Sequence, residues 1–450
     1  MTKINFGIIA MACACLGAYP AAAETLTDAI ETAFVSNPGL AAQRQASEVA
    51  QESLTQARAA RRPTVELSGS AGYETTDSNQ AFSEFSTGDF PKASAQLQAS
   101  LPIYTGGQIK AGIRQAEAGI GVADAQLDAA RQDLILQVIT AYVDVLRDRE
   151  AVTIRENSVN LLREQVRASQ DRFDVGEVTR TDVAQSEARL EGSLAALAGA
   201  QAVLEGSLAS YTFLVGTEPG MLVPVPDAPT LPDSFEEALG IGLENNPNLE
   251  VLRYNERAAE QAVRAAQGAL RPSVSIVGTA AAQETYGIDD TVNPFTQSAL
   301  PDSFRDTSVS LFAQGSVPLY QGGANSSALR SAKLQREQAR FLTLNSERQI
   351  RAQLAQAWFA SIAANRAIDA SARQVEAAEI AYDGAQAELA VGVRTTLDVL
   401  DQEQQLLEAR LNLIQAERDA YVAAHQLMRA MGTLTQDRLD VSASIEDIEG

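Results

Sequence analysis

The hydrophobic period of the chain changes from helix to strand and back, twice. After Pro63, Val65, Leu67, Gly69, Ala71 and Tyr73 alternate with Glu66, Ser68, Ser70, Gly72 and Glu74. Ala95, Leu97, Ala99, Leu101 and Ile103 alternate in the same way with Ser94, Gln96, Gln98, Ser100 and Pro102. A period of two belongs to a strand with one apolar and one polar face. Val274, Ile276, Gly278 and Ala280, then Val309, Leu311, Ala313, Gly315 and Val317, repeat the pattern in the second half. The spacing predicts strands over 63–76, 93–104, 272–284 and 307–320. The segments between them are polar, with Phe82, Phe85, Phe90, Phe295 and Phe304 interspersed, and read as exposed loops of two long hairpins. Strands of about 9–11 residues cross an outer membrane at a tilt. Alternation alone fits equally a soluble hairpin whose apolar side covers a core.

The remaining pattern is helical. Residues 107–170 and 323–386 contain no proline. At about 1.5 Å per residue each stretch makes a helix on the order of 95 Å. Ile135, Val138, Ile139, Tyr142, Val145 and Leu146 form one apolar stripe; Ile350, Leu354, Trp358 and Ile362 form its counterpart. A second helix returns after each Val-Gly pair. Leu190, Leu194, Leu197, Gln201, Leu204, Leu208 and Tyr211 keep coiled-coil spacing, as do Leu397, Leu400, Gln404, Leu407, Leu411, Ile414, Arg418 and Tyr421. The pattern predicts antiparallel helical hairpins over 107–215 and 323–431, with tips near Gly176 and Gly392. An ordinary helical bundle is the alternative, but such bundles rarely keep helices this long.

The two halves are copies. Asn37-Pro38 recurs as Asn246-Pro247 and Arg62-Pro63 as Arg271-Pro272. Leu101-Pro102-Ile103-Tyr104-Thr105-Gly106-Gly107 recurs as Val317-Pro318-Leu319-Tyr320-Gln321-Gly322-Gly323. Val175-Gly176 with Thr179, Asp182 and Val183 recurs as Val391-Gly392 with Thr395, Asp398 and Val399. The expected organisation is a first repeat over 24–222, a proline-rich linker over 223–232, a second repeat over 233–434 and a tail over 435–450.

Composition narrows function by exclusion. The net charge of -23 disfavours a general nucleic-acid binder. One histidine, His425, and two cysteines, Cys13 and Cys15, supply neither a His/Cys metal cluster nor a Cys-His pair. No catalytic constellation, metal site or cofactor motif is expected, and Gly106-Gly107 and Gly322-Gly323 lack a phosphate-loop lysine. Lys3, the apolar stretch 4–16 and Ala21-Ala22-Ala23 before Glu24 read as a secretory signal, 1–23. That start tilts the strands toward the membrane. Four strands cannot close a barrel, since small barrels need about eight, so several chains must share one.

A duplicated unit of short helix, strand hairpin and long helical hairpin behind a signal resembles the TolC family of outer-membrane channel proteins. The two Asn-Pro starts, the two Arg-Pro strand entries, Leu319-Tyr320-Gln321-Gly322-Gly323 and Val391-Gly392-Val393-Arg394-Thr395-Thr396-Leu397-Asp398-Val399-Leu400-Asp401 carry the resemblance. It implies a mainly α fold with membrane β. A homotrimer shares one β-barrel in the outer membrane lipid and one α-helical barrel in the periplasm. It implies partners as well: a periplasmic adaptor and an inner-membrane ABC or proton-driven transporter, for which the channel is a passive exit duct. Cargo is secreted protein or small toxic molecules, with type I secretion favoured. Asp398 and Asp401 match the acidic constriction, which in a trimer stacks two rings. Acidic residues in a first helical turn also complement the helix dipole without further role. Gln165, Asp182 and Arg394 match the polar links that hold the closed state, while Leu389 and Gln386 depart from the family's tyrosine and glutamate there. A periplasmic or secreted coiled-coil adaptor is the competing assignment; its single hairpin fits the two hairpins and four strands poorly.

Overall fold

The structure, a computed structural model, describes residues 23–76, 88–286 and 303–436. The expected signal up to residue 22, both cysteines, Phe82, Phe85, Phe295 and the tail from 437 lie outside the described residues. The elements run α1 Leu26–Ser36, α2 Pro38–Ala59, β1 Thr64–Thr76, β2 Gly88–Tyr104, α3 Gln108–Asp174 and α4 Arg180–Val215. The second copy follows as α5 Phe235–Asn245, α6 Pro247–Gly268, β3 Ser273–Tyr286, β4 Ser303–Ser316, α7 Ala324–Ala390 and α8 Thr396–Met431. Helices α3 and α7 each hold 67 residues, and α4 and α8 each hold 36. Compact packing divides the chain into two units. Of the described residues, one draws on those within 23–40, 130–246 and 351–436, the other on those within 41–129 and 247–350.

The second unit holds one four-stranded antiparallel sheet, ordered β1-β2-β3-β4. Register places Leu67 opposite Leu97, Leu97 opposite Ala280 and Ala280 opposite Val309. The next apolar row is Val65, Ala99, Gly278 and Leu311. Between them lies a polar row of Glu66, Gln98, Thr279 and Ser310. The alternation read along each strand therefore adds up to one mainly apolar and one mainly polar face, the latter also carrying Val277 opposite Phe312. Among the described residues the apolar face is largely uncovered: Leu67 is 74% and Val309 87% exposed.

Several strand boundaries differ from expectation: β4 starts at Ser303 rather than 307, and β3 runs to Tyr286 rather than 284. β2 starts at Gly88, before the expected 93, so Phe90 falls inside a strand, as Phe304 does in β4. β4 ends at Ser316, before the expected 320. The cause is register. Ser316 pairs with Ser273, the first residue of β3, and Pro272 before it has no N–H to donate. The first copy avoids this stop because β2 is shifted on β3, and an irregularity between Pro102 and Tyr104 lets Tyr104 pair with Val274. At the strand-to-helix turn Gly106 has φ 64°. A Cβ there would fall 2.4 Å from Gly268 O, so only glycine fits. Arg271 donates through Nη1 to Gly106 O at 3.3 Å.

In the first unit the α3 stripe forms the core. Ile135, Val138, Ile139, Tyr142 and Val145 are buried, with Phe34, Leu354, Leu427 and Met431. Burying each large apolar side chain contributes about 1.5–3 kcal/mol. Trp358 is half-buried, its ring 6.5 Å from Phe235. Asn37 starts α2 by accepting from Gly39 N at 2.9 Å and Leu40 N at 3.2 Å, with Pro38 in the first helical position. The coiled-coil seam of α8 matches the one read in sequence in part, at Leu400 and Tyr421, which are buried. Its buried line runs through Val399, Glu403, Leu406, Ala409, Ala416 and Ala420, whereas Leu397 and Gln404 are exposed.

Polar groups tie this unit together. Arg418 of α8 forks Asp144 of α3 at 2.8 and 3.2 Å, and Arg147 reaches the same carboxylate at 3.0 Å. Tyr211 donates to Glu24 Oε1 at 2.6 Å, and Tyr142 Oη lies 2.9 Å from Glu24 O and 2.7 Å from Val223 O. Burial pushes the Tyr142 phenol up to about 12. His425 is buried, with Nδ1 2.8 Å from Tyr421 O. A carbonyl only accepts, so Nδ1 carries the proton, and burial keeps the ring below its ordinary range. This is a packing role.

Candidate functional site at the helical tips

Both tips are built alike. At the first, Gly176 has φ 81°, Gly176 N donates to Phe173 O at 2.9 Å and Glu177 N to Arg172 O at 2.8 Å. At the second, Gly392 has φ 76°, Gly392 N donates to Leu389 O and Val393 N to Glu388 O, both at 3.0 Å. This left-handed glycine closure satisfies the last carbonyls of one helix and turns the chain. The next helix then starts on a capping box. Asp182 accepts from Thr179 N and Oγ1, both at 2.8 Å, and Asp398 accepts from Thr395 N at 3.0 Å and Oγ1 at 2.8 Å. Each threonine hydroxyl oxygen accepts from the aspartate N–H in return.

These bonds set the charge at the tips. The backbone N–H of Thr179, then its hydroxyl, hold Asp182 below the ordinary carboxylate range. The same two groups of Thr395 lower Asp398, with Arg394 adding a smaller attraction. Asp401, one turn on, receives Arg189 of α4 at 2.6 Å. Arg394 pairs with Glu388 of its own hairpin, and Gln165 is half-buried on α3. Within one chain, then, Asp182 and Arg394 each have nearer partners, whereas the resemblance implies links between neighbouring chains. At the departing positions, Gln386 Nε2 donates to Tyr382 Oη.

Sequence reading missed Arg189, Glu388 and Glu403. Glu403 had a visible signal: it stands four after Val399 and three before Leu406, an acidic residue inside an apolar period. Arg189 and Glu388 had none, because an exposed charge looks the same with or without a partner.

The family described as outer membrane efflux protein matches residues 29–217 and again 239–433, one match per copy. The chain belongs to that family. Outer membrane efflux protein BepC of Brucella suis biovar 1 is 30% identical over 424 residues, covering 94% of this chain and 89% of that protein. Alkaline protease secretion protein AprF of Pseudomonas aeruginosa is 25% identical over 431 residues, covering 93% and 86%. Among solved structures, the Campylobacter jejuni CmeC outer membrane channel aligns with a TM-score of 0.78 at 17% identity, over 94% of this chain and 88% of that one. The chain is an outer-membrane channel protein, not an enzyme, of a family used in both efflux and secretion. Among the described residues no helix is long and apolar enough to cross a membrane.

Proposed function

We propose that three copies of this chain form one channel-tunnel, the exit duct between an inner-membrane transporter with its periplasmic adaptor and the exterior. The observation that carries the reading is the sheet. Among the described residues it has four strands, an apolar face exposed to its surroundings, and outer edges on β1 and β4 that pair with no strand. Four strands are too few to close, and an open edge in lipid leaves N–H and C=O groups without partners. Pairing β4 of one copy with β1 of the next removes every edge, and the apolar faces then form one lipid-facing wall. Helices α3, α4, α7 and α8 continue the duct into the periplasm.

In this trimer Asp398 and Asp401 line the narrow mouth as stacked acidic rings. Asp182, Arg394 and Gln165 link neighbouring hairpins in the closed state, and opening separates the hairpins. The duct supplies no energy; the transporter does. Secreted protein is the cargo assigned, with small toxic compounds second. The full-length protein, extracted in detergent from outer membranes, is expected as a trimer that conducts in planar bilayers. A monomer soluble without detergent would refute the reading and favour the adaptor. Deleting the gene is expected to abolish export of a secreted protein. Drug sensitivity with intact secretion would reverse the cargo assignment.

A further inference from the structure

One carboxyl in the first unit has no part in the tip machinery above. Glu403 of α8 is only 8% exposed and lies on the buried line between Val399 and Leu406. Ser158 of α3 donates to its Oε1 at 2.9 Å. A cleft of about 290 Å³ opens beside it, lined by α3, α7 and α8. The charged and titratable groups around it are unhelpful to an anion. From α7 come Glu379, Asp383 and the Tyr382 phenol. Arg410 of α8 is bound to Glu379 at 2.8 Å, and Arg189 of α4 is bound to Asp401 at 2.6 Å. An ionised Glu403 therefore has one hydroxyl, two cations already engaged elsewhere, and two carboxylates for neighbours.

We propose that Glu403 is a proton-operated positioning residue for opening: neutral, it lets α8 lie against α3 as seen here, and ionised, it drives the two apart. The proposal rests on the reading that separating the hairpins opens the duct. Its physics is the cost of a buried charge. Desolvation is the largest influence on Glu403 and raises its proton affinity; Ser158 and then Arg189 oppose it. A folded carboxyl of raised pKa binds a proton that the separated form gives up. The packed arrangement is thus fully favoured below the ordinary value of 4.5 and loses that advantage as pH rises through the folded value. Acid closes and base opens.

Two measurements test this on the purified full-length protein. In planar bilayers, parent conductance is expected to rise with pH, Glu403→Gln to stay low throughout, and Ser158→Ala to move the midpoint up by about one pH unit. In thermal melts, the parent is expected to lose stability relative to Glu403→Gln across the same window. Parallel pH curves for parent and Glu403→Gln, or a Ser158→Ala midpoint that does not move, overturn the proposal. A protein that never conducts counts against the channel reading instead, and the melts still decide Glu403.

Discussion

Each acidic residue at the tips has a local structural task as well as a charge, and the two are separable. Asp398 completes the capping box of α8, so its removal weakens the helix start along with any acidic ring. Thr395→Ala removes the cap and keeps the carboxylate. It is expected to lower stability by about 1 kcal/mol and leave block by multivalent cations intact. Asp398→Ala with Asp401→Ala is expected to weaken that block severalfold in single-channel recordings, and equal block in both proteins would dismiss the rings. Arg189 gives a third handle. It neutralises Asp401 in this chain, so Arg189→Ala is expected to strengthen block. Spacing in the sequence put two carboxylates on one helix face, but it could not show that α4 brings an arginine to one of them. That pairing joins residues far apart in the chain, and no local pattern encodes it.

The elements were more legible than their edges. Alternation, the missing prolines and the Asn-Pro and Gly-Gly punctuation specify helices and strands locally, and the duplication let each copy check the other. The ends of β2 and β4 depend on which residue of β3 stands opposite, which is a property of the pair. The α8 seam was legible only in part. Leucines mark a heptad to the eye, but the buried side of α8 also takes in Ala409, Ala416 and Ala420, whose small side chains give no heptad signal. Glycines make the same point in α3. A Cβ on Gly121 would meet the Tyr254 ring at 2.4 Å, whereas one on Gly119 would meet nothing within 4 Å. Gly121→Ala is expected to cost about 1–3 kcal/mol by forcing α6 away. Gly119→Ala is expected to stabilise by about 0.5–1 kcal/mol through helix propensity. Chemical denaturation of the two variants should give opposite signs, although the sequence around them is alike.

At the scale of the whole molecule, the sheet is the part that does not make sense in one copy. Among the described residues nothing covers its outer apolar positions such as Leu67 and Val309, and β1 and β4 each pair on one side only. A soluble hairpin protecting a core, which alternation left open, would bury those positions. Neighbouring positions on β4 turn this into a measurement. Val309 belongs to the apolar row with Leu67, Leu97 and Ala280, and Ser310 to the polar row with Glu66, Gln98 and Thr279. Arginine on a lipid-facing strand position costs about 2–4 kcal/mol near the bilayer centre, while the lumen side tolerates it. Val309→Arg is therefore expected to cut the trimer recovered from outer membranes at least about tenfold, and Ser310→Arg to leave it nearly unchanged. Both substitutions add the same charge to the same strand, one residue apart. Equal losses would mean that neither face meets lipid, and the shared wall would have to be abandoned along with the trimer that requires it.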